Sequence, residues 1–149
     1  MPTRSPAPYL ATWLIAASIA LVLLLLPAPV AARAAPPTGN WEGTIVIFRD
    51  GVPRGRAYVE LTISSLRLGR ISARASWLRP PRCTDILRLE RARAGHWRFS
   101  IAATIGACTG RTWIYDVTRP AARRLRLRAT SADPRFEGVV YLGTLVRSG

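Results

Sequence analysis

The 149-residue chain contains no lysine, one histidine, two cysteines and eight acidic residues. Two thiols and one imidazole are too few ligands for a structural zinc site, and His96 lacks the second histidine or neighbouring nucleophile of a metal cluster or a catalytic triad. Because His96 begins a predicted strand, we interpret it as a solvated turn residue. The acidic residues, Asp85 among them, occur singly, and several of them are interpreted as charge partners for arginine across strands. We therefore expect no metal, no cofactor and no enzyme activity, with a small secreted enzyme as the last alternative.

The head of the chain has the three zones of a secretory signal. Arg4 precedes an uncharged apolar run from Tyr9 to Leu26, and an A-x-A site ends at Ala34. We predict that residues 1–34 form a signal helix that is cleaved after Ala34, which makes the protein secreted or envelope-associated. The alternative is an uncleaved membrane anchor, because 18 uncharged residues can just span a bilayer. No cysteine follows the run at the cleavage site, so lipid attachment there is not expected.

The part of the chain after the signal is short enough for one domain. Removing 34 of 149 residues leaves 115, of which 35–40 form a Pro-rich leader and 41–147 the predicted domain. Both cysteines, Cys83 and Cys108, lie in this domain. In an oxidising compartment an even pair is interpreted as one disulfide, with two buried free thiols as the alternative.

Hydrophobic residues alternate with polar ones through most of the domain, which is typical of half-buried strands. In residues 56–63, Val59 and Leu61 share one face, and 70–78 and 96–104 repeat the pattern with Ile71 and Ala103 among the inward positions. The predicted strands are 41–48, 56–63, 70–78, 86–90, 96–104, 111–117, a strand containing 124–128, and 138–146. Turn residues such as Gly51 separate them. We predict an all-β antiparallel meander of about eight strands that forms a small barrel, with a two-sheet sandwich as the alternative.

Arginine supplies all of the basic charge. Two of the 22 arginines precede residue 35 but all eight acidic residues follow it, so the exported part carries a net charge of about +12. The absence of lysine has two explanations, a GC-rich genome or the suitability of the guanidinium group for phosphate, sulfate and carboxylate partners. Codon bias toward arginine does not account for the net charge, which favours affinity for polyanions at low salt. The candidate contacts are Arg123, Arg124, Arg126 and Arg128, with Arg88, Arg91 and Arg93 as a second row. These rows define the alternative function, an adhesive protein for an anionic envelope polymer or lipid head group rather than intracellular nucleic acid. A solvated strand face is the other interpretation of the same arginines.

Aromatic residues at strand positions support the leading interpretation, a non-catalytic binding or sensing module that takes a small apolar or amphipathic ligand at the barrel mouth or on an open face. The candidates are Trp41, Trp77, Trp97, Trp113 and Tyr115. At alternate strand positions, however, the same side chains are expected to build the hydrophobic core. A ligand site would require a cavity of several hundred cubic ångströms with a few convergent polar groups.

A series of short motifs runs through almost the whole exported part. They are Trp41-Glu42-Gly43, Gly51, Ile63, Gly69, Cys83 followed by Leu87 and Leu89, Trp97-Arg98-Phe99, Cys108-Thr109-Gly110 and Gly143-Thr144-Leu145. Their order resembles a small two-cysteine domain of exported bacterial proteins and of the extracytoplasmic ends of some actinobacterial membrane serine/threonine kinases. Gly39-Asn40-Trp41 also resembles the G-x-W opening of lipocalin-like and avidin-like barrels. No kinase domain is present here, and residues 116–125 are less regular than in that domain. Both resemblances imply binding or sensing and supply no catalytic residue.

Overall fold

Eight antiparallel strands form one closed barrel in chain order. The structure is a computed structural model and describes residues 36–78, 82–108, 110 and 112–149. The strands are β1 (Gly39–Arg49), β2 (Val52–Ile63), β3 (Ile71–Trp77), β4 (Cys83–Arg93), β5 (His96–Gly106), β6 (Trp113–Ala121), β7 (Arg124–Ser131) and β8 (Val139–Arg147). A short 3-10 helix, Pro134–Phe136, precedes β8. The predicted barrel is confirmed and the sandwich alternative is wrong, because β8 pairs with β1.

The predicted signal peptide, residues 1–34, lies outside the described residues. In the described ranges, the structure contains no helix that is both long and apolar enough to cross a bilayer. We call the barrel end that carries the β1–β2, β3–β4, β5–β6 and β7–β8 connections the upper end. The other three connections, together with residues 36–38, lie at the lower end.

Alternation along the strands fills the interior with side chains. On β7, Leu125, Leu127 and Ala129 are fully buried, while the residues between them face solvent. At the lower end Trp41 closes the core, and its indole N–H donates to the carbonyl oxygen of Pro37 over 2.7 Å. Because water is excluded from these positions, the interior is a packed hydrophobic core.

A β-bulge at the start of β3 changes which side chain faces the core. The register with β4 shifts between Ile71 and Ala73, and Ser72 occupies the inserted position. Ser72 is fully buried with its hydroxyl 3.0 Å from the carbonyl oxygen of Arg70, whereas Ile71 is 62% exposed. The prediction that Ile71 faces inward is therefore wrong, because the extra residue reverses the alternation.

A second bulge has the same effect in β5. The register with β4 shifts at Ala102, so that Thr104 rather than Ala103 lies opposite an inward residue of β4. Ala103 is exposed, which contradicts its predicted inward position. The inward residue opposite Thr104 is Asp85, and the Thr104 hydroxyl donates to its carboxylate over 2.8 Å.

The predicted disulfide lies at the upper end of the barrel, where it joins the start of one strand to a turn. Cys83 is the first residue of β4, Cys108 lies in the turn after β5, and the two are bonded with their Cα atoms 5.6 Å apart. Both residues are buried. A disulfide is the state expected in an oxidising, extracytoplasmic compartment.

Two glycines allow β1 and β8 to close the barrel. A Cβ atom on Gly43 would lie 2.4 Å from the carbonyl oxygen of Thr144, and one on Gly143 would lie 2.6 Å from that of Thr44. Both positions follow the inward alternation of their strands, which here approach each other too closely for any side chain. Closure therefore depends on the absence of side chains at this seam.

Replacing Gly143 with alanine is expected to lower the free energy of unfolding by about 1–3 kcal/mol, because the new methyl group overpacks the seam. Gly55→Ala is the matched control, since nothing lies within 4 Å of a Cβ at that position in β2. The control should change stability by less than about 1 kcal/mol. Urea unfolding followed by tryptophan fluorescence measures both variants, and equal losses in the two would contradict a glycine-dependent seam.

Candidate functional site

A row of arginines follows the outer face of β7. Because Leu125 and Leu127 face the core, Arg124, Arg126 and Arg128 project outward, and all three are exposed. Successive members are two residues apart, which corresponds to about 6.6 Å along a strand. Arg123, in the turn before β7, is exposed at the lower end of the row. The predicted first group of polyanion contacts is therefore continuous in the structure.

Exposed aliphatic side chains flank this row on β8. The cross-strand pairs are Arg124 with Val146, Arg126 with Thr144 and Arg128 with Leu142. Val146 is 48% and Leu142 is 36% exposed. The surface that we call the β7 face, made of these six residues, thus combines guanidinium groups with apolar contact area.

Acidic side chains do not neutralise the β7 face. Asp116 lies opposite Arg128 in the register of β6 and β7, yet its carboxylate accepts from Arg98 over 2.8 and 3.1 Å and from His96 over 3.2 Å. Burial works to raise the pKa of Asp116, but hydrogen bonds and charge from Arg98 and His96 outweigh it and hold that pKa below its ordinary value. Among the described residues, none of the β7 arginines forms an ion pair.

The interpretation of His96 as a solvated turn residue is wrong. It is the first residue of β5 and is only half-exposed, with its side chain in contact with the carboxylate of Asp116. The contact was not evident from the sequence because 20 residues separate the partners. The arrangement belongs to a surface ion-pair cluster of His96, Arg98 and Asp116.

The second predicted arginine row lies elsewhere on the barrel. Arg88, Arg91 and Arg93 are exposed on β4, and β5 and β6 separate them from β7. The Arg98–Asp116 ion pair lies on the two intervening strands. The structure therefore places the predicted contacts in two groups.

All five aromatic candidates for ligand binding belong to the core. Trp41, Trp113 and Tyr115 are 1% exposed, and Trp77 and Trp97 are 5% exposed. Their faces are covered by neighbouring side chains, as in the tilted contact of Trp77 with Tyr115 at 6.4 Å between ring centroids. These side chains stabilise the barrel interior and do not present an open binding surface.

Asp85 is a buried carboxylate, although the sequence predicts no particular role for it. It is fully buried at the upper end and accepts hydrogen bonds from the indole N–H of Trp77 (3.1 Å), the hydroxyl of Thr104 (2.8 Å) and the hydroxyl of Tyr115. Its alternation with Leu87 and Leu89 on β4 was the available signal. Donors from three other strands surround the carboxylate, so its contacts are those of a structural polar centre.

The described residues show no metal site, and the chain matches none of the known proteins with which it was compared. Within the described ranges, no group of three or more His, Cys, Asp or Glu side chains is arranged to hold a metal ion. Comparison with protein-family models, curated proteins and solved structures found no match.

Proposed function

We propose that this chain is a non-catalytic, extracytoplasmic binding protein whose β7 face holds an anionic polymer or lipid head group of the cell envelope. The predicted signal peptide, residues 1–34, and the Cys83–Cys108 disulfide support a location outside the cytoplasm. The resemblance to two-cysteine extracytoplasmic domains also favours a binding role. If the apolar head were retained as an anchor, the positive barrel would lie beside anionic membrane lipid.

The observation that carries this proposal is the unpaired charge of the β7 face. Arg124, Arg126 and Arg128 are exposed, and no described acidic residue forms an ion pair with them. A guanidinium group binds phosphate, sulfate or carboxylate oxygens with two parallel hydrogen bonds. Three such groups on one strand therefore suit a ligand with repeated anionic groups.

Exposed aliphatic side chains allow the β7 face to make apolar contacts with a ligand as well as charged ones. Leu142 and Val146 lie directly across the strand pair from Arg128 and Arg124. They add apolar contact area that a lipid head group with its proximal acyl carbons, or a polymer with apolar substituents, would cover. The proposed ligand is thus anionic and partly apolar.

The triple variant R124Q/R126Q/R128Q is expected to lose retention on heparin, which serves as a generic polyanion. The parent protein should remain bound above about 0.15 M salt, where nonspecific surface attraction is strongly screened. Removing three contacts should reduce the slope of log affinity against log salt by about 2–3. Elution in a salt gradient and binding measured at several salt concentrations test this.

The matched control is R56Q/R67Q/R74Q, which removes the same charge from exposed arginines of β2, the β2–β3 connection and β3. It should retain most of the affinity, because these arginines do not form a single row. Equal losses in the two triple variants would show that net charge alone causes retention. Elution of the parent protein at low salt would contradict the proposed function itself.

A further inference from the structure

An open cleft of about 480 Å³ lies at the upper end of the barrel, between the end of β1 and the start of β8. Its lining residues are Ile47, Arg49, Arg54, Phe136, Val139 and Tyr141. None of the five aromatic residues predicted as ligand contacts lines it. The volume falls within the range of about 300–1,000 Å³ that is typical of small-molecule sites.

A supported aromatic wall forms one side of this cleft. Tyr141 stacks on Trp113, with ring centroids 4.5 Å apart and an interplanar angle of 12°. Phe136, from the 3-10 helix, lies 5.6 Å from the same indole. Trp113 is 1% exposed, and among the described residues its indole N–H has no hydrogen-bond partner. Trp113 therefore supports the two rings from below, and Phe136 and Tyr141 are the aromatic side chains that line the cleft.

Two arginines also line this cleft. Arg49 ends β1, and Arg54 is the extra residue of the β-bulge in β2, a type of irregularity that redirects a side chain out of the regular alternation. Both are exposed, and neither forms an ion pair with a described residue. In the sequence, the acidic residue nearest to both arginines is Asp50. Its carboxylate packs against Gly138, and a Cβ atom on Gly138 would lie 2.0 Å from a carboxylate oxygen.

The sheet leaves open space beside the cleft. Gly55 is the cross-strand partner of Ile47, and directly paired residues share one face of a sheet. No atom lies within 4 Å of the position that a Cβ on Gly55 would take. Because Gly55 is exposed, solvent-accessible space adjoins Ile47 on this side of the cleft.

We propose that this cleft binds a small amphipathic carboxylate. The guanidinium groups of Arg49 and Arg54 would take the carboxylate, while Phe136, Tyr141 and the aliphatic residues Ile47 and Val139 would cover its apolar body. The site uses none of the arginines of the β7 face, and it does not depend on the polyanion-binding role.

Calorimetric titration of the full chain with octanoate tests the proposal, with octylammonium and acetate as comparison ligands. Octanoate should bind saturably at one site per chain, and the other two should bind at least about tenfold more weakly, because each lacks either the negative charge or the apolar body. The double variant R49Q/R54Q should weaken octanoate binding by about tenfold or more. Arg56→Gln, an exposed arginine of the same strand outside the cleft lining, should leave octanoate binding unchanged.

Two results would overturn the site. Equal binding of octanoate and octylammonium would indicate apolar partitioning without recognition of the carboxylate. Unchanged octanoate binding by R49Q/R54Q would place any binding elsewhere on the protein. Because all substituted arginines are exposed, thermal unfolding of each variant should match the parent and confirm that the fold is retained. The heparin result for the β7 face has no bearing on these outcomes.

Discussion

Replacing Asp85 with alanine is expected to lower the free energy of unfolding by about 3–5 kcal/mol. The carboxylate is fully buried and accepts hydrogen bonds from Trp77, Thr104 and Tyr115. Deleting it leaves up to three donors in an apolar interior, and each buried donor without an acceptor costs about 1–3 kcal/mol. Since small domains are stable by only about 5–15 kcal/mol, this loss would bring the barrel close to unfolding.

Asp85→Asn separates the hydrogen-bonding role of this side chain from its size. The amide oxygen still accepts, and the hydroxyls of Thr104 and Tyr115 can rotate to accept from the amide nitrogen. We expect the asparagine variant to lose about half as much stability as the alanine variant. Glu60→Ala, at an exposed position on β2, should change stability by less than about 0.5 kcal/mol.

Urea unfolding of the three variants, monitored by tryptophan fluorescence, provides the measurement. A stability loss for Asp85→Ala no larger than that for Glu60→Ala would show that the carboxylate contributes nothing net to the fold. Equal losses for the alanine and asparagine variants would mean that the negative charge, rather than the set of hydrogen bonds, stabilises the centre. The expected order is parent and Glu60→Ala, then Asp85→Asn, then Asp85→Ala.

The number of strands was predictable because it follows from local patterns, and closure was favoured over a sandwich because it removes exposed strand edges. Period-two alternation in 56–63 and the turn residues around Gly51 define neighbouring antiparallel strands without long-range information. A meander of eight such strands has an obvious closed arrangement in which no edge stays exposed. The outward direction of Arg124, Arg126 and Arg128 follows from the same alternation.

The β-bulges and the side-chain pairs between residues distant in sequence could not be predicted from local patterns. An inserted residue such as Ser72 reverses the faces of its neighbours, and composition does not mark it as extra. Arg128 has an acidic residue directly opposite in the register, and only the three-dimensional structure shows that Asp116 instead pairs with Arg98.

The cleft at the upper end of the barrel could not be predicted from the sequence, because tertiary structure brings its lining residues together. Arg49 and Tyr141 belong to the first and last strands, which become neighbours only when the barrel closes. Alternation predicts Trp77 and Trp113 as ligand contacts, but both are buried and pack against Tyr141, which lines the cleft. Residues that pack in a core and residues that line a site have the same spacing on a strand.

Removing the disulfide with the double variant C83A/C108A is expected to lower the free energy of unfolding by about 3.5 kcal/mol. The two cysteines are 25 residues apart, and their bond restricts the unfolded chain across the β4–β5 hairpin. Alanine is the appropriate replacement, because both cysteines are buried and a serine hydroxyl would add an unpaired polar group. Dithiothreitol should destabilise the parent protein in urea by a similar amount.

The alanine variant is also the control for the reductant. Dithiothreitol should leave its unfolding midpoint unchanged, since no thiol or disulfide remains in the chain. An unchanged midpoint for the reduced parent would contradict a stabilising crosslink. Trp77, which donates to Asp85, is also the cross-strand partner of Cys83, so the losses from the two sites need not add. A barrel stabilised by this bond would be less stable in a reducing compartment, where the disulfide does not persist.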